Sequence, residues 1–168
     1  MRRRLTLLLA MLVVLSLVVA LPAAAKKPAP NLSGPMNIVF DPPDGVCGPD
    51  ISWYGTVELD GVPYGMTFES KPPSVFAGMT QHYWEEFTIY DGEFDEFPTQ
   101  CPSGSIVLQG DLSGIGRFAN GKITEHGIVT EANDPFEDWD GRRMHADGLV
   151  AVDTNGDPTG FKGTIRFN

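Results

Sequence analysis

The chain has 168 residues, with 12 Lys and Arg against 22 Asp and Glu, and its formal charge at pH 7 is −10. Nucleic acids and anionic membrane surfaces attract positively charged proteins, so this composition argues against both as partners. The length suits one domain of ordinary size.

The N-terminus has the pattern of a secretory signal peptide. Three arginines at residues 2–4 precede an apolar stretch at residues 5–21, and Ala23 and Ala25 fit the preference of signal peptidase. We expect residues 1–25 to be removed, which leaves nine Lys and Arg against 22 Asp and Glu and a formal charge of −13. The alternative is an uncleaved membrane anchor, because the stretch approaches a bilayer-spanning length. Cleavage predicts a secreted, extracytoplasmic protein with no further membrane contact.

A Pro-rich linker at residues 26–35 is predicted before the folded domain, residues 36–168. The first strand of that domain is expected at residues 36–40. Residues 52–68 then predict a hairpin, because apolar residues alternate on both sides of the pair Asp60-Gly61, which is typical of tight reversals.

The rest of the chain repeats this rhythm of alternating runs and turn residues. Pro72 and Pro73 predict a loop at residues 71–80. Apolar residues at every second position predict further antiparallel strands, and in one of them Ile106 and Leu108 are expected to face the core. These strands are residues 82–90, 105–111, 114–118, 122–131, 144–152 and 161–167.

The pattern as a whole predicts an all-β fold of about eight or nine strands with no amphipathic helix. Such a chain closes into a barrel or folds as a sandwich. Glycines inside several predicted strands favour the barrel, because they relieve crowding where a small barrel bends. We therefore predict a single antiparallel β-barrel of about eight strands, rich in hairpins and either monomeric or a homodimer, with a β-sandwich as the alternative.

Cys47 and Cys101 are the two cysteines of the chain, and each precedes a predicted strand. Secreted proteins keep such pairs oxidised, so we expect a disulfide between them. A reactive thiol is the alternative, but neither cysteine has the basic or His-rich neighbours that lower a thiol pKa.

A glycine pattern marks the C-terminal part of the chain. The segment Gly114-Ile115-Gly116-Arg117-Phe118-Ala119-Asn120-Gly121 is followed by Gly127, Gly148 and Gly163 in successive predicted strands. This arrangement resembles the allene oxide cyclase and dirigent-like small β-barrels, and bacterial secreted barrels of this type with no assigned role. The resemblance covers mainly residues 104–168 and implies an eight-stranded antiparallel barrel around an apolar cavity. No acidic or basic residue matches a catalytic position of either enzyme family, so it implies no residue roles.

Glu85 is the most unusual residue of the predicted strands, because it shares a face with Tyr83, Phe87 and Ile89. An unpaired carboxylate that points into a barrel has a raised pKa, as a general acid or a ligand anchor requires. If the strand is flipped, Trp84 faces inward and Glu85 faces water.

A small barrel is either filled by its own side chains or holds one small ligand. The residues expected to contact a ligand are Trp53, Tyr64, Phe68, Tyr83, Glu85 and Phe87. Three functions stay open: a barrel that binds a small apolar or aromatic molecule, a cyclase- or dirigent-like enzyme with Glu85 as the candidate catalytic residue, and an extracellular interaction module with a packed core. No nucleotide or cofactor motif is present, so no cofactor is expected.

His145 and Asp147 lie on one face of a predicted strand, and His126 lies on the strand before it. Imidazole and carboxylate groups bind transition metals, which makes these three residues candidate ligands. No further ligand has suitable spacing, so outward-facing polar residues without a metal are the preferred interpretation.

Overall fold

The computed structural model describes residues 31–42, 44–92, 99–117, 119–155 and 158–168. The strands within these ranges are β1 (Leu32–Phe40), β2 (Trp53–Leu59), β3 (Val62–Ala77), β4 (Thr80–Asp91), β5 (Ser105–Arg117), β6 (Lys122–Ala132), β7 (Arg143–Val152) and β8 (Pro158–Phe167). Each strand pairs with its neighbours in sequence, and β1 also pairs with β8, so these eight strands form a closed antiparallel barrel. The predicted barrel is confirmed, and the sandwich alternative is wrong.

The N-terminal predictions fall mostly outside the described residues. The predicted signal peptide, residues 1–25, lies there, as do residues 26–30 of the predicted linker. β1 begins at Leu32, so the last residues of that linker belong to the barrel. Among the described residues, the structure contains no helix with the length and apolar character needed to span a bilayer.

The structure contains the predicted alternation of apolar and polar residues and the predicted tight turn. In β8, Phe161 and Ile165 are buried while Lys162 is exposed. The hairpin between β2 and β3 reverses at Asp60 and Gly61, whose φ angles of 53° and 78° are those of a type I′ turn. One face of each strand therefore points into the barrel.

The loop predicted at residues 71–80 is wrong. β3 continues to Ala77 and β4 begins at Thr80, so the two strands extend as a long hairpin. The pairing shifts register between Lys71 and Val75, where the two prolines lie. Proline has no backbone N–H to donate, and an irregular stretch of ladder accommodates it without ending the strand.

The strands predicted at residues 105–111 and 114–118 are one strand, β5, and its expected orientation needs a correction. Ile106 is 38% exposed, whereas Val107 and Leu108 are both buried. The pairing with β4 shifts at this point, because Ile89 pairs with Leu108 and the next residue of β4 pairs with Ile106. The extra residue of a bulge reverses the alternation, which places Ile106 outside the barrel.

The two ends of the barrel differ in packing. We call the end that carries residues 59–62 and 132–143 the closed end, and the end that carries residues 77–80 and 117–122 the open end. A 3-10 turn, Glu137–Trp139, lies in the connection between β6 and β7 at the closed end. The ring of Trp139 packs 5.4 Å from that of Phe167, so this connection covers the core there.

The predicted disulfide is confirmed. Cys47 and Cys101 are bonded, with an S–S distance of 2.02 Å, and they join the β1–β2 loop to the β4–β5 loop. Asp41 supports the first loop, because its carboxylate accepts hydrogen bonds from the backbone of Val46 at 3.0 Å and of Cys47 at 2.8 Å. Tyr54 is also buried, and the charge of nearby Asp41 adds to burial in raising its pKa.

Candidate functional site

A cavity of about 150 Å³, partly open to solvent, lies inside the barrel toward the open end. Every strand contributes to its wall. The apolar lining residues are Ile38, Trp53, Phe68, Ile123, Val150 and Phe161. The polar lining residues are Ser70, Ser74, Gln81, Tyr83, Glu85, Arg117 and Glu125. The site is therefore an apolar chamber with a small polar group of residues in its wall.

Tyr83 and Glu125 are brought together by a glycine between them. In the sheet, Tyr83 of β4 pairs with Gly114 of β5, and Gly114 pairs with Glu125 of β6. A Cβ atom at Gly114 would lie 2.1 Å from the Tyr83 ring. The ring lies across β5 because no side chain is there, and it reaches the carboxylate of the next strand.

The resulting contact is a hydrogen bond. Tyr83 Oη donates to Glu125 Oε1 at 2.7 Å. Glu125 is only 4% exposed, and its other oxygen, Oε2, is buried with no hydrogen-bond partner among the described residues. A buried acceptor without a donor is costly and uncommon in folded proteins. Oε2 is therefore available to a donor that the protein does not itself supply.

Glu85 forms the second acidic position. It is 5% exposed, while its neighbour Trp84 is 43% exposed, so the inward orientation holds and the flipped-strand alternative is wrong. Ser70 Oγ donates to Glu85 Oε1 at 3.1 Å. This contact crosses from β3 to β4, where Ser70 and Glu85 are register partners.

Burial dominates the acid–base properties of this group. It raises the pKa of Glu85 to about 8, with the charge of Glu125 as the second cause, and the Ser70 hydrogen bond opposes the rise. It raises the pKa of Glu125 to about 7, against the hydrogen bond from Tyr83. The pKa of Tyr83 is raised strongly by burial and then by both carboxylates, so Tyr83 stays a neutral donor. Both carboxyl groups therefore titrate near neutral pH, and the protonation of one depends on the charge of the other.

The predicted ligand-contact residues divide between the two ends. Trp53, Phe68, Tyr83 and Glu85 line the cavity. The other two belong to the packed core. Tyr64 packs against Phe136 at 5.7 Å, and Phe87 packs against Phe167 at 6.3 Å.

Sequence reasoning missed Glu125, although a signal for it was present. Ile123, Glu125, Gly127 and Val129 occupy alternate positions of β6, and Val129 is buried. A carboxylate on this apolar face is the same kind of anomaly as Glu85. Its pairing with Tyr83 depends on strand register, which no local pattern provides.

The candidate metal ligands do come together on the outer surface. His126 and His145 are register partners on β6 and β7, with their Nδ1 atoms 3.0 Å apart. His145 Nε2 lies 2.5 Å from Asp147 Oδ2, which also accepts from Arg166 at 3.3 Å. Within the described ranges, no group of three or more His, Cys, Asp or Glu side chains is arranged to hold a metal ion. Both ring nitrogens of His145 are engaged with protein partners, so the cluster is a surface hydrogen-bond network.

No protein-family model, curated protein or solved structure matches this chain. The molecule is a closed eight-stranded antiparallel β-barrel with an internal, partly acidic cavity. The chemistry of that cavity is the basis for assigning a function.

Proposed function

We propose that the protein binds a small, mainly apolar molecule in the lumen of its barrel. The observation that supports this function is the cavity of about 150 Å³, walled by Trp53, Phe68 and Phe161 in a barrel whose other end is filled. An apolar cavity of roughly this size accommodates a benzene-sized molecule. Small-molecule sites typically combine such a wall with a few convergent polar groups, here Tyr83 and the two glutamates.

We further propose that this binding takes place outside the cytoplasm. The Cys47–Cys101 disulfide supports this location, because disulfides persist in oxidising compartments. The signal-peptide pattern of residues 1–25 supports it independently. The resemblance of residues 104–168 to cyclase and dirigent-like barrels fits the same proposal.

A second candidate function is catalysis in the same cavity. Tyr83, Glu85 and Glu125 favour it, because a buried carboxyl group that titrates near neutral pH is suited to accept or donate a proton. In this alternative, the barrel holds a reactive small molecule while one glutamate moves a proton and Tyr83 donates a hydrogen bond. The third option, an interaction module with a packed core, is disfavoured by the cavity.

Native mass spectrometry tests the binding function. The protein is purified gently from the host that makes it, and its native mass is compared with its denatured, unreduced mass. We expect an additional small mass that disappears on denaturation. Incubating the purified protein with the compound so identified, and finding that it is chemically altered, would select the enzyme over the carrier.

A pair of neighbouring variants controls for adventitious binding. Val150→Phe adds a ring at the cavity wall, whereas Leu149→Phe adds one at a position that is 55% exposed. The extra mass should be lost in Val150→Phe and retained in Leu149→Phe. A bare native mass, together with no binding of benzyl alcohol by saturation-transfer NMR, would contradict the proposal.

A further inference from the structure

The charge of the cavity wall points to a chemical class of ligand. We propose that the occupant is a small organic cation, an aromatic or alicyclic amine whose ammonium group lies between Glu85 and Glu125. Its apolar body would lie against Trp53, Phe68 and Phe161. This inference rests on the proposed binding function and adds the chemical class of the ligand.

The first support is geometric. Two carboxyl groups line one small cavity, both are at most 5% exposed, and Glu125 Oε2 has no hydrogen-bond partner among the described residues. An ammonium group carries three donors and a positive charge. It would satisfy the free acceptor and neutralise the pair at once, whereas a hydrocarbon would leave Oε2 without a donor.

The second support is the balance of charge around the pair. Among the described lining residues, the polar ones on these three strands are Ser70 and Ser74 of β3, Gln81, Tyr83 and Glu85 of β4, and Glu125 of β6. On the other strands, the one titratable side chain among the lining residues that the structure describes is Arg117, the last residue of β5, which is exposed. Water screens an exposed guanidinium more effectively than the buried carboxylates are screened. An anionic ligand would therefore face unfavourable charge at the inner wall when the two glutamates are ionised.

The aromatic wall is the third support. Trp53, Phe68 and Phe161 border the same cavity as the two glutamates. Aromatic ring faces attract cations as well as apolar groups. An arylalkyl amine is complementary to both parts of the wall.

Binding of such a ligand is linked to protons. In the free protein the pKa values of Glu125 and Glu85 are raised to about 7 and about 8, so at pH 6 both groups are largely neutral acids. An ammonium ion binds best to the ionised carboxylates, so its binding releases protons. Affinity for an amine therefore rises as the pH passes from 6 to 8.5.

Three matched probes test the inference on the purified, disulfide-bonded protein: benzylammonium, benzyl alcohol and benzoate. Calorimetry at pH 6 and pH 8.5, in buffers of different ionisation enthalpy, measures affinity and proton release. We expect benzylammonium to bind at least about tenfold more tightly at pH 8.5 than at pH 6, with proton release. Benzyl alcohol should bind more weakly and without this pH dependence, and benzoate should not bind at pH 8.5, where the glutamates are largely ionised.

Variants assign the effect to the two glutamates. Glu125→Gln and Glu85→Gln should each weaken benzylammonium binding about tenfold or more, which is about 1.4 kcal/mol, and weaken benzyl alcohol binding by a smaller factor. Glu58→Gln removes one charge from an exposed position of β2 and should change neither. Circular dichroism shows whether each variant is folded. If a variant does not fold, the comparison of the three probes on the wild-type protein still tests the inference.

The outcomes separate this inference from the proposed function. If benzyl alcohol binds as tightly as benzylammonium at both pH values, or if folded glutamine variants bind the amine normally, the cation assignment is overturned and the binding function stands. If none of the three probes binds and the native mass is bare, both fail.

Discussion

The two ends of this barrel are built from the same strands, yet they have opposite packing. At the closed end, Phe167, Met66 and Ile89 are completely buried, and the ring of Trp139 packs against that of Phe167. At the open end the inward faces of the strands carry two glutamates and Tyr83 beside apolar side chains, and a cavity remains. We therefore expect most of the packing energy to come from the closed end, and the proposed ligand to bind at the open end.

The largest expected effect comes from truncating a phenylalanine at each end. Phe167→Ala leaves a void in a filled core and should cost about 3–5 kcal/mol. Phe68→Ala enlarges a cavity that already exists, and the ring borders that cavity on one side, so a smaller loss of about 2 kcal/mol is expected. Urea unfolding of both variants measures the difference. Equal losses would show that the open end contributes to stability as much as the closed end does.

A smaller effect is expected from alanine at two glycines of β5. Gly114→Ala would place a Cβ atom 2.1 Å from the Tyr83 ring, so the ring must move and its bond to Glu125 is lost. We expect a loss of about 1–3 kcal/mol. At Gly116 the nearest atom of Tyr83 is 4.0 Å away, so Gly116→Ala should stay within about 0.5 kcal/mol of wild type. Thermal unfolding compares them, and similar losses would contradict the role assigned to Gly114.

The pH dependence of stability should arise at the open end, where both buried glutamates lie. Because burial raises the pKa of Glu85 and Glu125 in the folded state, the folded protein holds protons that the unfolded chain releases. Their destabilising effect is absent near pH 4.5 and grows as the pH rises through about 7 to about 8. Glu85→Gln and Glu125→Gln should therefore lie close to wild type at pH 5 and exceed it in stability at pH 9, by up to about 1.4 kcal/mol for each unit by which the pKa of the replaced group is raised.

Calorimetric melting at these two pH values measures this difference. Glu58→Gln, at the exposed position of β2, serves as the control and should follow wild type at both. If the glutamine variants lose as much stability with rising pH as wild type does, the two carboxyl groups are ionised in the folded state at low pH.

The smallest effect is expected outside the barrel. His126 is exposed, and its contact with His145 belongs to a surface network. His126→Ala should cost less than about 1 kcal/mol and leave ligand retention in the native mass spectrum unchanged. Loss of the retained molecule in this variant would place the binding site on the outer face of β6 and β7.

Much of the fold was predictable because β-structure is encoded locally. Alternation in β8 and the Asp60-Gly61 turn identify strands and a hairpin without knowledge of their partners. The same alternation leaves two orientations of Glu85 open, and the structure has the inward one. The errors arose where the ladder departs from regularity, at the prolines of β3 and at the bulge near Ile106.

The site was predictable only in part, because it depends on register between strands. Tyr83 and Glu125 are 42 positions apart, and only the pairing of β4, β5 and β6 makes them neighbours. The sequence also does not show which end is filled. That depends on Phe136 and Trp139 folding back from the β6–β7 connection over the core. For this reason the sequence alone predicts Tyr64 and Phe87 as ligand contacts, although both belong to the packed core.

The missing side chain at Gly114 has a consequence for recognising relatives. The ring of Tyr83 occupies the space that a larger residue at position 114 would require, so positions 83, 114 and 125 should change together as the family diverges. A lineage that gains a side chain at position 114 would have to shorten the residue at position 83 and would lose the bond to Glu125. In a distant homologue, Tyr, Gly and Glu at paired positions of three consecutive strands would identify the same chamber.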